Sequence, residues 1–263
     1  MKKRVIVIAA IALLLVYLGV SLGFLSGRRD RLVCTGIVVT IPDSMEHRFL
    51  VRRDVMALIM SNSHKWIGEY LRDINTQSVE SLIYRNPAVK EAKVFKTVGG
   101  TLKIEVTQRQ PVLRIINRYG ENFYIDDDGG MMPWSAKFTA RVLVANGNIP
   151  DRFDSRKANS YSLLSDTTAS NHTLKDLTRL ALFIRDNDFW NAQIEQVFVE
   201  GNGDFDLIPR VGGHLIILGK LDDMEDKFAK LKLMYEVGLP NEGWNKYSTL
   251  NLKFRNQVVC TKK

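Results

Sequence analysis

Residues 86–111 read NPAVKEAKVFKTVGGTLKIEVTQRQP, and this stretch decides the fold. Ala92 and Val94 alternate with Lys93, and Gly99-Gly100 turns the chain. Leu102, Ile104 and Val106 then alternate with Lys103, Glu105 and Thr107. Period-two apolar alternation on both sides of a Gly-Gly pair predicts a β-hairpin with one buried and one wet face. Just upstream, Thr76 can cap a helix that carries Val79, Leu82 and Ile83 on one face. Asn86-Pro87 stops that helix, because the residue before a proline is pushed out of the α region. Helix, stop and lysine-rich hairpin make a small α+β unit.

The remainder of the chain is large enough for one more domain. It has 263 residues, 45% of them hydrophobic, which suffices for ordinary cores. The formal charge of +8 falls by three once Lys2, Lys3 and Arg4 are set aside as flanks of an apolar run. The other basic residues are scattered, forming no stripe, so nucleic-acid binding is not expected. The cysteines are Cys34 and Cys260, with no CxxC and no histidine at ligand spacing, so neither a structural zinc nor any other cofactor is expected. They flank almost the whole polar part of the chain, and a bridge would need their Cα atoms within about 7 Å.

Val5–Leu25 is a run of 21 uncharged residues, long enough at 1.5 Å per residue to cross a hydrocarbon core of ~30 Å. Basic residues flank it on both sides, but the leading tail is short and a long polar segment follows. The expectation is an uncleaved signal anchor with the amino end inside; a cleaved signal peptide is the rival, although the run exceeds the usual 7–15 apolar residues of such signals. Gly19-Val20-Ser21-Leu22-Gly23 matches a nucleophile elbow in letters only, since it sits inside that run.

After a charged stem at Arg28–Arg31, Val38–Ile41 reads as a strand and Phe49–Val51 as a short extended piece. A helix near Asp54 carries Val55, Leu58 and Ile59 on one face. The order is strand, helix, helix, strand, strand. With the runs Phe49–Val55, Asn86-Pro87-x-Val89, Ala92-x-Val94, Leu102-x-Ile104-x-Val106 and Arg109-x-Pro111, it resembles the POTRA domain of the bacterial division protein family FtsQ, also called DivIB. Two positions depart from that family, which often has Glu where Gln108 stands and an aromatic where Ala88 stands.

Beyond Pro111 the chain reads as a mixed β-sheet with flanking helices. Val112, Leu113 and Ile115 form a strand, and Phe123–Ile125 return. Asp126-Asp127-Asp128-Gly129-Gly130 is a turn, because an EF-hand would need Glu where Lys137 stands. Ala140–Ala145 reads as a strand and Asp151–Asn171 as a polar loop. Leu177, Leu180, Ala181 and Ile184 mark an amphipathic helix. A meander follows through Gln193–Glu200, Phe205–Ile208 and Leu215–Leu218. Asp222 with Glu225 reads as a capping pair for a helix with core stripe Met224, Phe228, Leu231 and Tyr235, ended by Gly238 and Pro240. Tyr247–Val259 alternates as one last strand, in which Asn251-Leu252-Lys253-Phe254 stands where the family reads Asp-Leu-Arg-aromatic. The resemblance spans nearly the whole chain. The expected layout is a tail at 1–4, an anchor at 5–25, a stem at 26–33, a POTRA-like domain at 34–110 and an FtsQ-type β domain at 111–263.

No catalytic centre is legible. His47, His64, His172 and His214 are scattered, and no Ser-x-x-Lys motif, dinucleotide loop or carboxylate pair is recognisable. The resemblance implies a non-enzymatic, single-pass inner-membrane division scaffold at the septum, with its amino end cytoplasmic and its domains periplasmic. It would recruit FtsB/DivIC-like and FtsL-like partners and help control septal peptidoglycan synthesis. The expected mechanism is strand addition at the edge of the last strand, through Thr249, Leu250, Asn251, Leu252, Lys253, Phe254, Arg255, Val258 and Val259. A membrane-anchored enzyme acting on the cell wall is the alternative. A POTRA subunit of an outer-membrane assembly machine fits less well, because the second half lacks repeated membrane strands.

Overall fold

The computed structural model describes residues 11–20, 32–42, 49–61, 65–154, 164 and 172–263. The chain divides into two compact units, Met1–Gln108 and Arg109–Lys263, each with its own core. The membrane-crossing helix expected over Val5–Leu25 is corrected. Residues 11–20 are helical (α1), and residues 5–10 and 21–25 lie outside the described residues. At 1.5 Å per residue that described helix reaches only about 15 Å. Among the described residues no helix is long and apolar enough to cross a membrane.

The first unit contains β1 (Gly36–Thr40), α2 (Arg52–Ser61), α3 (Thr76–Tyr84), β2 (Val89–Lys96) and β3 (Thr101–Gln108). The opening stretch is the antiparallel pair β2–β3, with Ala92 opposite Val106 and Val94 opposite Ile104. β1 lies parallel on the far side of β3, giving the order β1-β3-β2. The alternating residues Ala92, Val94, Leu102, Ile104 and Val106 are buried with Val55, Ile59, Val79 and Ile83 of the two helices. Gly100 turns the hairpin at φ +83, and a Cβ there would crowd the Val33 carbonyl, so glycine is required.

Two local readings of this unit shift. The cap of α3 is Asn75, whose side chain accepts from the Ser78 amide at 3.2 Å, and Thr76 is the first helical residue. Asparagine's short carbonyl reaches the third amide of the turn readily, as caps require. Phe49–Val51, expected as a short extended piece, bends and joins no strand. Instead the Leu50 amide donates to Oε1 of buried Gln108 at 2.8 Å, which pins this segment to the end of β3. A neutral amide at position 108 suits that buried site, where an unpaired carboxylate would be costly.

The second unit is a nine-stranded sheet in the order β12-β11-β10-β9-β8-β7-β4-β5-β6. Its strands are β4 (Pro111–Ile116), β5 (Asn122–Asp126), β6 (Met131–Pro133), β7 (Leu143–Gly147), β8 (Ile194–Val199), β9 (Phe205–Pro209), β10 (Leu215–Gly219), β11 (Tyr247–Asn251) and β12 (Val259–Lys262). The helices are α4 (His172–Arg185), α5 (Asp188–Gln193), α6 (Met224–Leu233) and α7 (Leu239–Glu242). Leu177, Leu180, Ala181 and Ile184 of α4 join Phe228 and Leu231 of α6 in the core with the strand residues. β10 and β11 are parallel neighbours, so α6 and α7 form the crossover that parallel pairing demands. Of the loop expected over Asp151–Asn171, residues 155–163 and 165–171 lie outside the described residues.

The acidic turn at residues 126–130 is built on one carboxylate. Asp126 is fully buried and accepts from the Gly130 amide at 2.5 Å, from the Asp128 amide at 3.1 Å and from Arg109 Nη1 at 2.6 Å. A Cβ on Gly130 would overlap that guanidinium. Asp222 does not cap α6. Asp223 stands at the cap in the left-handed region without a side-chain bond, and the Asp222 carboxylate pairs with Lys227 Nζ at 3.3 Å. Gly238 and Pro240 do not end the helix either. A π-helical turn, Met234–Gly238, carries it into α7, and Gly243 at φ +100 stops it. Pro240 falls in the first turn of α7, directly after the π-helical turn, whose wider winding makes room for a residue that cannot donate. The strand expected at Ala140–Ala145 begins at Leu143.

Candidate functional site

The last strand of the sequence reading is two strands. β11 ends at Asn251, and the chain turns and returns as β12 on the outside of the sheet. Asn251 faces Val259, Leu250 faces Cys260, and Thr249 faces Thr261. β11 is therefore an inner strand, held parallel to β10 and antiparallel to β12. Thr249, Leu250 and Asn251 lie within it. Leu252 is buried just past its end, and its amide donates to the Ile217 carbonyl at 2.9 Å. Lys253, Phe254 and Arg255 form the exposed part of the turn, and half-buried Val258 leads into β12. Of the nine residues expected at the edge, Val259 alone belongs to the outermost strand. Cys260, Thr261 and Lys262 complete that strand and were missed. The polar run Arg255-Asn256-Gln257 between apolar residues was the available signal. Asn256 stands at φ +60, a conformation asparagine tolerates.

The turn is fastened from three sides. Asn251 Oδ1 accepts from the Lys253 amide at 3.0 Å, a local bond that bends the chain out of the strand. Lys230 of α6 donates to the carbonyls of Leu252 at 3.2 Å and Phe254 at 2.6 Å. Lys253 lays its stem over Gly219, which stands at φ +76, and its amine reaches Asp204 Oδ2 at 2.8 Å. That bond holds the Asp204 carboxyl below its ordinary range and raises the Lys253 amine. Asp206, two residues further along β9, is buried beside Glu200 and Asp204, and burial followed by those like charges pushes its pKa up to about 6.

Between α6 and this turn lies an open cleft of about 470 Å³. Asp222, Asp226, Lys227 and Lys230 line it from the α6 side, Lys253 and Arg255 from the turn, and Phe254 is 46% exposed beside them. Charges of both signs around an exposed ring suit a peptide carrying both charges and an apolar side chain, and carry no reaction chemistry by themselves.

His214, just before β10, is 4% exposed, with Nε2 2.9 Å from the Tyr235 hydroxyl. Burial, and then the nearby Lys263 charge, lower its pKa, while burial raises that of Tyr235. Trp190 and Trp244 pack edge-on against the Tyr235 ring. This is a core histidine anchored by a phenol. His47 and His64 lie outside the described residues. Among the described residues no group of three or more His, Cys, Asp or Glu could hold a metal ion. Cys34 is buried and Cys260 half-buried, both as free thiols.

The family model described as FtsQ/DivIB, C-terminal related, matches residues 110–261. A POTRA-like domain model matches residues 32–107. No curated protein matches the chain.

Proposed function

This chain belongs to the FtsQ/DivIB family, and on that premise we propose that it is a cell-division scaffold that captures FtsB/DivIC-like and FtsL-like partners by strand addition along β12. It acts at the division site, helps control septal peptidoglycan synthesis and turns over no substrate of its own. The observation that carries this reading is the place of β12, outermost in the nine-stranded sheet and paired with β11 on one side. Its outer side can offer backbone N–H and C=O groups to an incoming strand, each bond worth about 1 kcal/mol net. A strand of four residues can contribute only a few such bonds, so side chains must supply much of the affinity. Phe254 and the charged walls of the adjacent cleft are placed to do so, and Phe254 is the kind of exposed aromatic that anchors interfaces.

Removing residues 259–263, or changing Phe254→Asp, is expected to abolish capture of FtsB/DivIC-like protein in a pull-down, with circular dichroism unchanged for Phe254→Asp. Undiminished capture by both variants would refute strand addition at this edge. Incubation of the purified chain with peptidoglycan is expected to release no fragments.

A further inference from the structure

We propose that His214 is an acid-sensitive fastener of the second unit. Uncharged, it holds together the end of the sheet where β10 and β11 begin and β12 finishes; protonated, it releases that end. Its effect on partner capture rests on the reading of β12 as the docking strand.

Three strand ends meet around this ring. β10 and β11 run parallel, with Leu215 opposite Thr249, and β12 returns antiparallel, with Lys262 opposite Tyr247. His214 directly precedes β10. Its Nε2 meets the hydroxyl of Tyr235 in the π-helical turn. The Tyr235 ring packs in turn on Trp244, just before β11, and on Trp190 of α5. Lys263, just past β12, donates its amide to the Lys246 carbonyl at 3.1 Å. The Lys263 amine lies over Gly213, where a Cβ would stand 3.0 Å from it. Gly212, at φ +95, leaves no room for a Cβ against the imidazole. One side chain thus touches the turn before β10 and the aromatic cluster that leads into β11, beside the residue that follows β12.

This enclosure suits the uncharged ring. Nδ1 is buried with no hydrogen-bond partner among the described residues. The neutral tautomer with its hydrogen on Nε2 donates to the phenol oxygen and leaves Nδ1 a bare acceptor, so no N–H is stranded. A further proton would go to Nδ1 and bury a charged donor without an acceptor, which is far costlier. The surrounding groups offer that charge no relief. Burial keeps Tyr235 a neutral phenol, Trp190 and Trp244 bring no charge, and the Lys263 amine has the same sign as an imidazolium. Extended by one residue, the registers set Pro209 of β9 and Ser248 of β11 beside His214, and neither is charged. Burial first and Lys263 second hold the imidazole below its ordinary value of 6.5. The fastened state is therefore fully favoured above 6.5 and loses ground as pH falls from there through the lowered value. The ring takes its proton by leaving Tyr235, and that departure undoes the link between the strand ends.

Amide exchange of the full chain and of His214→Gln, compared at pH 7.5 and pH 5.5 after correction for intrinsic rates, tests the fastener. One proton taken up on opening predicts exchange about tenfold faster at residues 247–249 and 260–262 at the lower pH in the unmodified chain. The variant should show no such change, because glutamine can donate to Tyr235 but does not titrate. Asp206 titrates in the same range but is common to both chains. Equal pH dependence in the two, or none in either, overturns the proposal. Should His214→Gln fold poorly, Lys263→Met decides. Loss of the like charge is expected to move the exchange transition to higher pH, and an unmoved transition overturns the proposal. Capture of an FtsB/DivIC-like protein should weaken about tenfold at pH 5.5 in the unmodified chain and hold in His214→Gln. Exchange that responds to acid while capture does not supports the fastener and tells against β12 as the docking strand.

Discussion

The β2 edge of the first unit and the β12 edge of the second are both outermost strands, yet they are finished in opposite ways. Along β2 the Val94 amide is occupied by the Glu80 carboxylate from α3, and Lys93 and Glu91 pair on the wet face. Along β12 the protein invests in the turn before the strand, and no described strand pairs with its outer side. Lys230 holds two turn carbonyls, and Lys253 ties the turn to Asp204. A cover excludes partners, whereas a fastened approach presents a strand in one geometry. The difference shows that edge protection is a local choice, made by single side chains on neighbouring elements.

The largest test of that contrast removes the anchor of the open edge. Leu252 is fully buried at the end of β11, so Leu252→Ala should cost about 2–5 kcal/mol in denaturant unfolding of the second unit. Unfolding of the first unit should be unaffected. A smaller effect comes from acid. Asp206 carries a folded-state pKa raised from 3.8 to about 6, so the folded chain binds this proton more tightly than the unfolded one. That contribution to stability is full below about pH 4 and is lost as pH rises through 6. After solvent screening the change is worth about 1–2 kcal/mol. Asp206→Asn should therefore raise the unfolding midpoint at pH 7.5 and remove the slope between pH 4 and 6. If its pH profile runs parallel to that of the unmodified chain, Asp206 is not the titrating group.

The closed edge can be opened by Glu80→Ala, which strips the Val94 amide of its acceptor. A loss of about 1 kcal/mol with increased light scattering on concentration is expected, and no rise in scattering would show that Glu80 does not guard the edge. The smallest effect belongs to Lys230→Met, which keeps the stem and removes the clamp. About 0.5–1.5 kcal/mol should be lost, and amide exchange at residues 252–256 should quicken while that of β8 and β9 holds.

Much of this was legible in the sequence, for reasons specific to each element. The β2–β3 hairpin could be read because alternation and Gly99-Gly100 agree, and because its core face is buried on one side only. The stripe Met224, Phe228, Leu231 and Tyr235 could be read because all four are buried. The break between β11 and β12 was hidden, since Leu250, Leu252 and Phe254 keep the alternation of a strand across the turn. What bends the chain there is Asn251, Asn256 and a lysine twenty-odd positions upstream, a contact that no local pattern announces. Asp222 misled in the same way, because a buried amine at Lys227 took the carboxylate that local spacing assigned to the helix end. The apolar run at Val5–Leu25 was read by its length, and the described helix covers less than half of it.

The parallel pairing of β10 with β11 has a consequence for the order of assembly. β8, β9 and β10 are joined by short turns and can zip locally. β11 can reach β10 only after α6, the π-helical turn and α7 have folded across the sheet, because the loop they close must be paid in chain entropy before its contacts form. Among the described strands β12 pairs with β11 alone and so comes later still. An unfinished chain thus lacks the β12 edge, and capture by the strand addition proposed above would be reserved for molecules whose second unit is complete. Pulse-labelled refolding that protected β12 amides before those of β8 and β9 would contradict this order.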